Sequence, residues 1–221
     1  MRFLQLSFLA LLLLTAVVPA AHAQGIQIID YLGYAWETGG ILPSDPGDVL
    51  TFVGTSDWVD PLVGVDLGTE EVTFYIHDLV SASTSVDALG TTTILYSGGV
   101  LEVYRDAAKN ADYGTAPPNG TAPASFTDGV LLLKGNFTSF GITIDNTGAG
   151  FFGGPADGVG GELITACTGC IYTWGGSFVA GTAQTPDGYD LQMDGVLKVD
   201  PTVPVQDERA WGSLKASYGN N

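Results

Sequence analysis

Apolar and polar residues alternate with a period of two through much of the chain. In Glu71-Val72-Thr73-Phe74-Tyr75-Ile76-His77 the apolar Val72, Phe74 and Ile76 alternate with Thr73, Tyr75 and His77, which is the period of a strand with one buried face. Leu101 to Arg105 and Gly141 to Asp145 repeat it. Val130-Leu131-Leu132-Leu133 is apolar without a break and suits a strand covered on both faces. The runs are punctuated by turn residues: Gly47-Asp48-Val49-Leu50, Gly99-Val100-Leu101, Asp128-Gly129-Val130-Leu131 and Asp194-Gly195-Val196-Leu197 each read as a turn leading into a strand. Ten strands are predicted, near 25–30, 49–55, 71–79, 91–97, 99–105, 129–138, 139–145, 158–166, 171–179 and 188–199.

Helical periodicity is confined to the tail, where Trp211, Leu214 and Tyr218 fall on one side of a helix predicted over Gln206 to Tyr218, with Asp207 as its cap. The predicted fold is therefore all-β. It is a two-sheet antiparallel β-sandwich, jelly-roll or Ig-like, over 24–200, followed by a C-terminal tail, 201–221, with that short amphipathic helix. A closed barrel is the competing solution. A lipid-spanning barrel would need apolar outward residues in every segment and two aromatic girdles, and the patchy alternation does not supply them.

The N-terminus adds an address. Arg2, the apolar run Leu9 to Val18, the helix-breaking Pro19 and the small residues of Ala21-His22-Ala23 form a secretory signal peptide over 1–23, with cleavage expected between Ala23 and Gln24. No second apolar run of spanning length follows, so no transmembrane segment is expected in the mature chain. A secreted or cell-surface location is expected, with the periplasm as the alternative. Once the leader is removed, six basic residues face twenty-four acidic ones, a net charge of −18, which argues against nucleic acid as a partner. In an exported chain Cys167 and Cys170 are expected to be bonded to each other, with Thr168-Gly169 at the tip of a hairpin.

Candidate chemistry is sparse. His77 is the one histidine left after cleavage, so any Ser-His-Asp arrangement must use it, and too few nitrogen and sulfur ligands remain for zinc. A carboxylate pair is the surviving route to an enzyme, with Glu102 and Glu162 both falling in predicted strands. Structural calcium is the one cofactor considered. Asp106, Asn110 and Asp112 open a long Pro- and Gly-containing loop, and Asp187, Asp190 and Asp194 cluster near a turn. Loop oxygens of this kind suit calcium. Trp36 and Trp58, flanked by loop residues, are the tryptophans expected at the surface and the candidate ligand-binding aromatics, whereas Trp174 reads as core.

The stretch Tyr34-Ala35-Trp36-Glu37-Thr38-Gly39-Gly40 resembles parts of uncharacterised exported bacterial proteins. So do the run from Val59-Asp60-Pro61-Leu62 through Val65-Asp66-Leu67-Gly68 and the ending Trp211-Gly212-Ser213-Leu214-Lys215-Ala216-Ser217-Tyr218. The resemblance covers patches only and implies a β-rich surface or matrix component, with no catalytic residues to carry over. The chain departs from the sorting signal of some such proteins, since it has no Pro-Glu-Pro box, spanning helix or basic end. Two functions are expected from these observations. The first is a secreted, non-catalytic surface, matrix or adhesion protein, with a glycan or a second copy of itself as partner. The alternative is a carbohydrate-active domain, either a calcium-assisted sugar-binding module or a carboxylate-pair glycoside hydrolase.

Overall fold

A computed structural model describes residues 25–167 and 169–200. The leader, Thr168 and the tail with its predicted helix lie outside the described residues. The strands are β1 (Ile26–Glu37), β2 (Val49–Val59), β3 (Glu71–Val86), β4 (Thr92–Asp106), β5 (Val130–Phe137), β6 (Phe140–Ile144), β7 (Ala149–Gly160), β8 (Ile171–Ala180) and β9 (Leu191–Asp200), with one short helix, α1 (Glu162–Ala166). All ladders are antiparallel, and β9 returns to pair with β1 from Ile26↔Val199 to Ala35↔Leu191, which closes the sheet. β5 and β6 share one position. They run in the same direction, one pairing with Val100–Arg105 and the other with Thr92–Tyr96 of β4, and both pair with β7.

The architecture is thus an eight-strand antiparallel barrel, and the expected two-sheet sandwich, jelly-roll or Ig-like, is corrected. Alternation specifies one buried face, and both architectures provide that. What separates them is whether the edge strands meet, and here β1 and β9 satisfy each other's backbone groups. Strand length contributes as well. The segments predicted at 91–97 and 99–105 are one strand, β4, continuous through Gly98 and Gly99, whose φ angles of 72° and 98° bend it. The strand predicted at 158–166 is instead the end of β7 followed by α1.

The lumen is filled. Tyr31 of β1 stacks on Trp174 of β8 at a centroid distance of 3.8 Å, and Phe74 of β3 packs edge-on to both at 5.0 and 4.6 Å. Phe52, Phe140 and Phe152 continue the core towards one end. Rings of this size fit because small residues face them. A Cβ on Gly54 would lie 2.4 Å from the Phe74 ring, and one on Gly195 would lie 2.4 Å from the Tyr31 hydroxyl. Most interior positions are apolar, whereas the outer wall mixes Glu102, Lys134, Asp157, Asp194 and Lys198 with exposed apolar residues such as Leu32, Leu95, Phe151 and Val179. Among the described residues no helix is long and apolar enough to cross a membrane.

A second core lies outside the barrel. The segment 107–129 leaves the end of β4 and crosses the outer faces of β3, β2 and β1 before returning to β5, its immediate neighbour in the sheet. Ala122 and Phe126 of this segment bury against Val53 and Trp36, with Tyr189 beside them. Asn119 organises the segment: its Nδ2 donates to the carbonyls of Tyr113 and Thr115, and its Oδ1 accepts from the backbone N–H groups of Thr121 and Ala122. Thr73 of β3 donates to the Phe126 carbonyl at 2.9 Å, which ties the loop to the wall.

Candidate functional site

A group of polar and aromatic side chains on the outer wall lies across β3, β4 and β5. Register sets it out: Tyr75 faces Glu102, which faces Lys134, in one row across the three strands. His77 sits two residues further along β3 and Tyr104 two further along β4, on the same face. Lys134 Nζ donates to Glu102 Oε1 at 2.7 Å, and the Tyr104 hydroxyl donates to Oε2 at 2.8 Å. His77 Nε2 lies 3.8 Å from the same Oε2, while Nδ1 is 2.9 Å from Asp78 Oδ2. The Tyr75 and His77 rings stack at 4.5 Å.

Burial and neighbouring groups shift three of these side chains. Partial burial pushes the Glu102 carboxyl up, but Lys134, Tyr104 and His77 outweigh it and hold the group below the usual carboxylate range. Burial, together with Glu102, pushes the Tyr104 phenol up, and burial with Asp78 and Glu102 does the same for Tyr75. The cluster is a half-buried group of two phenols, one carboxylate, the Lys134 amine and the His77 ring, with Tyr75 and His77 stacked on each other and Tyr75 also packed against the second core. Such a surface can stack against a ring and exchange hydrogen bonds with its hydroxyls. Among the described residues, the polar partners of His77 are both carboxylates, so the ring is not poised against a serine or cysteine nucleophile.

The other residues singled out from the sequence are dispersed. Asp106 Oδ1 accepts from the Ala108 N–H and Asp112 Oδ1 from the Gly114 N–H, both turn-forming bonds, while Asn110 donates to Asp128 across the two ends of the loop. Asp190 turns inward and accepts from the Glu37 N–H at 2.8 Å, whereas Asp187 and Asp194 are exposed. Among the described residues no group of three or more His, Cys, Asp or Glu side chains is placed to hold a metal ion. Trp58 is 43% exposed, but Trp36 is 8% exposed because Tyr189 and the 107–129 segment cover it. Trp174 is in the core, fully buried.

Cys167 and Cys170 are bonded. They join the end of α1 to β8, so the expected hairpin between two strands is replaced by a helix-to-strand turn. Glu162 is on α1 and pairs with Arg105 at 3.2 Å, whereas Glu102 is committed to Lys134 and Tyr104. The two glutamates weighed as a catalytic pair therefore have separate partners.

The two ends of the barrel carry features the sequence reading missed. At the upper end, where β1 passes into β2, the Glu37 carboxylate is buried. It accepts from Ser44 Oγ at 2.5 Å and from the Tyr96 hydroxyl at 2.8 Å. Ser44 belongs to the connecting segment 38–48, which folds over the opening with Ile41 inserted into the core. Burial raises the Glu37 carboxyl above the usual range, against the hydrogen bonds of Ser44 and Tyr96, and Asp48 and Asp190 add to the rise. Burial likewise raises Asp190, against the Glu37 N–H. Only the glutamate beside a Gly-Gly turn hints at this in the sequence, since Ser44 and Tyr96 are remote from it.

At the lower end a half-open apolar cavity of about 90 Å³ lies between β1, β9, α1 and the 3₁₀ turn Pro61–Val63. Compared with known proteins, the chain matches no family model, no curated protein and no solved structure.

Proposed function

We propose that this is an exported, non-catalytic surface or matrix protein that binds through the outside of its barrel. The observation that carries the reading is the filled lumen. Small eight-strand barrels either hold a ligand inside or pack side chains there, and this one packs Tyr31, Trp174 and Phe74 at its centre. The state of the acids supports it further. Glu37, Glu71, Glu102 and Glu162 each have a fixed hydrogen-bonding partner, and Glu102 is held ionised, which does not suit the proton donor a glycosidase needs.

Within the carbohydrate-active alternative, the Tyr75, His77 and Tyr104 group favours sugar binding over hydrolysis. The test is retention of the mature protein on a panel of immobilised polysaccharides, with Tyr75→Ala in parallel and reducing-sugar release measured throughout. Expected is retention on one polymer class, weakened at least fivefold by Tyr75→Ala, with no sugar released. Release of reducing ends that Glu102→Gln abolishes would replace this reading by a hydrolase. Retention on none of the polymers removes the sugar-binding reading.

A further inference from the structure

On a part of the outer wall away from the Tyr75 group, register places Thr93 of β4, Thr143 of β6, Phe151 of β7 and Ser177 of β8 in one row. Phe151 is 71% exposed. The adjoining row on the same face runs Leu95, Gly141, Gly153 and Gly175, so on that side of the ring three neighbouring strands carry no side chain. Backbone crowding keeps the strip bare, since a Cβ on Gly153 would lie 2.9 Å from the Trp174 carbonyl oxygen. Towards the other side, Thr91, Asp145 and Val179 join Thr143, Phe151 and Ser177 in lining a concave site of about 450 Å³, a volume in the range of small-molecule sites.

The chemistry of this panel narrows its partner. β6 and β8 hold no charged residue and β7 none before Asp157, in a chain with twenty-four acids. An anionic partner therefore meets no basic group here. An extended peptide finds no free edge, because β6, β7 and β8 are each paired along both sides. What the site offers is an exposed ring flanked by hydroxyls. Among the described residues, neither the Thr143 nor the Ser177 hydroxyl is taken up by a hydrogen bond. Asp145 Oδ1 accepts from the N–H groups of Thr147 and Ala149, which leaves Oδ2 to accept from a ligand. A sugar uses all of these, its apolar face against an aromatic ring and its hydroxyls against hydroxyl and carboxylate oxygens.

We infer that this concavity binds an uncharged pyranose sugar, with Phe151 against the sugar ring and Thr143, Ser177 and Asp145 holding its hydroxyls. The inference rests on the reading that the outer wall binds sugar and adds a second site to it. A polymer reaching both sites is held by both, so loss of either weakens its retention.

The test is a titration of the isotope-labelled mature protein, followed by NMR, with malto-, cello-, chito- and manno-oligosaccharides and with oligogalacturonate as the anionic control. One neutral series is expected to shift the backbone amide resonances of Thr143, Phe151 and Ser177, and oligogalacturonate is not. Phe151→Ala and, separately, Ser177→Glu are expected to raise the sugar concentration required by about fivefold or more. Val159→Ala, an exposed apolar position elsewhere on β7, should leave it within about twofold. Shifts confined to Tyr75 and His77 would overturn this inference and leave the reading beneath it standing, whereas no shift at either place would overturn both. Shifts at Thr143, Phe151 and Ser177 that grow with protein concentration in the absence of sugar would show a second copy in the site, and would overturn the inference too. If Phe151→Ala does not fold, Ser177→Glu and the wild-type shift positions decide.

Discussion

At the upper end of the barrel a connecting loop is held down by a buried carboxylate, whereas at the lower end a short helix and a turn pack through aliphatic side chains beside a disulfide. Glu37, Ser44 and Tyr96 make directional bonds in a desolvated site, where each donor is strong but leaving the carboxylate unpaired would be costly. Leu163 and Val63 make non-directional contacts that tolerate a gap. The upper loop is thereby pinned by polar bonds, and the lower end keeps a small apolar cavity. The upper end should respond to pH and to loss of a single group. The lower end should respond to redox state.

Three measurements put this contrast at risk. The largest effect is expected from Ile41→Ala, which removes the side chain that anchors the upper loop in the core. Chemical denaturation should show a loss of about 3 kcal/mol, and a loss below about 1 kcal/mol would mean the loop is not part of the cooperative core. Next comes the lower end, where Cys167→Ser with Cys170→Ser should cost at most about 2 kcal/mol, because the bond closes so short a loop. A cost well above that would make the disulfide more than a staple of one turn.

The smallest expected effect is on pH dependence. The Glu37 and Asp190 carboxyls are raised in the fold above ordinary values of 4.5 and 3.8, so the folded chain binds these protons more tightly than the unfolded one. Their contribution is fully present below the unfolded values and declines as pH rises through the raised ones. Carboxylates shifted the other way, Glu102 among them, lose their contribution on acidification, so a difference measurement is needed. The Tm of the wild type relative to Glu37→Gln should be highest near pH 4 and fall towards pH 7. A gap independent of pH would remove Glu37 titration from the account.

Much of the strand pattern is legible in the sequence because burial on one face imposes its period wherever side chains are large, as in Val72, Phe74 and Ile76. β7 shows where legibility stops. Its sequence, AGFFGGPADGVG, carries five glycines, so strand propensity is weak and no strand is predicted over 149–157. In the barrel those glycines make room for neighbours: a Cβ on Gly150 would strike the Phe178 ring, and one on Gly158 would approach Tyr172. The residues of the outer-wall cluster were visible singly, His77 and Glu102 both being noted. Their meeting with Lys134 was not, because it depends on a register across three strands. Trp36 was misplaced for a related reason: its cover comes from Tyr189 and Phe126, far along the chain.

The sequence by itself determined the all-β class and the inward residues of β3, β6 and the second half of β4, because period-two patterning is a local property. The pairing of Cys167 with Cys170 was legible from their spacing and from the export expected of the chain. Only the tertiary structure decided that the sheet closes, that the lumen is solid, that the 107–129 loop forms a second core outside it, and that the two ends are packed differently. Each of these depends on which distant strands become neighbours. Closure turns on β1 meeting β9, and filling the lumen turns on Tyr31 meeting Trp174. Both are relations between residues more than a hundred positions apart, and no local pattern encodes them.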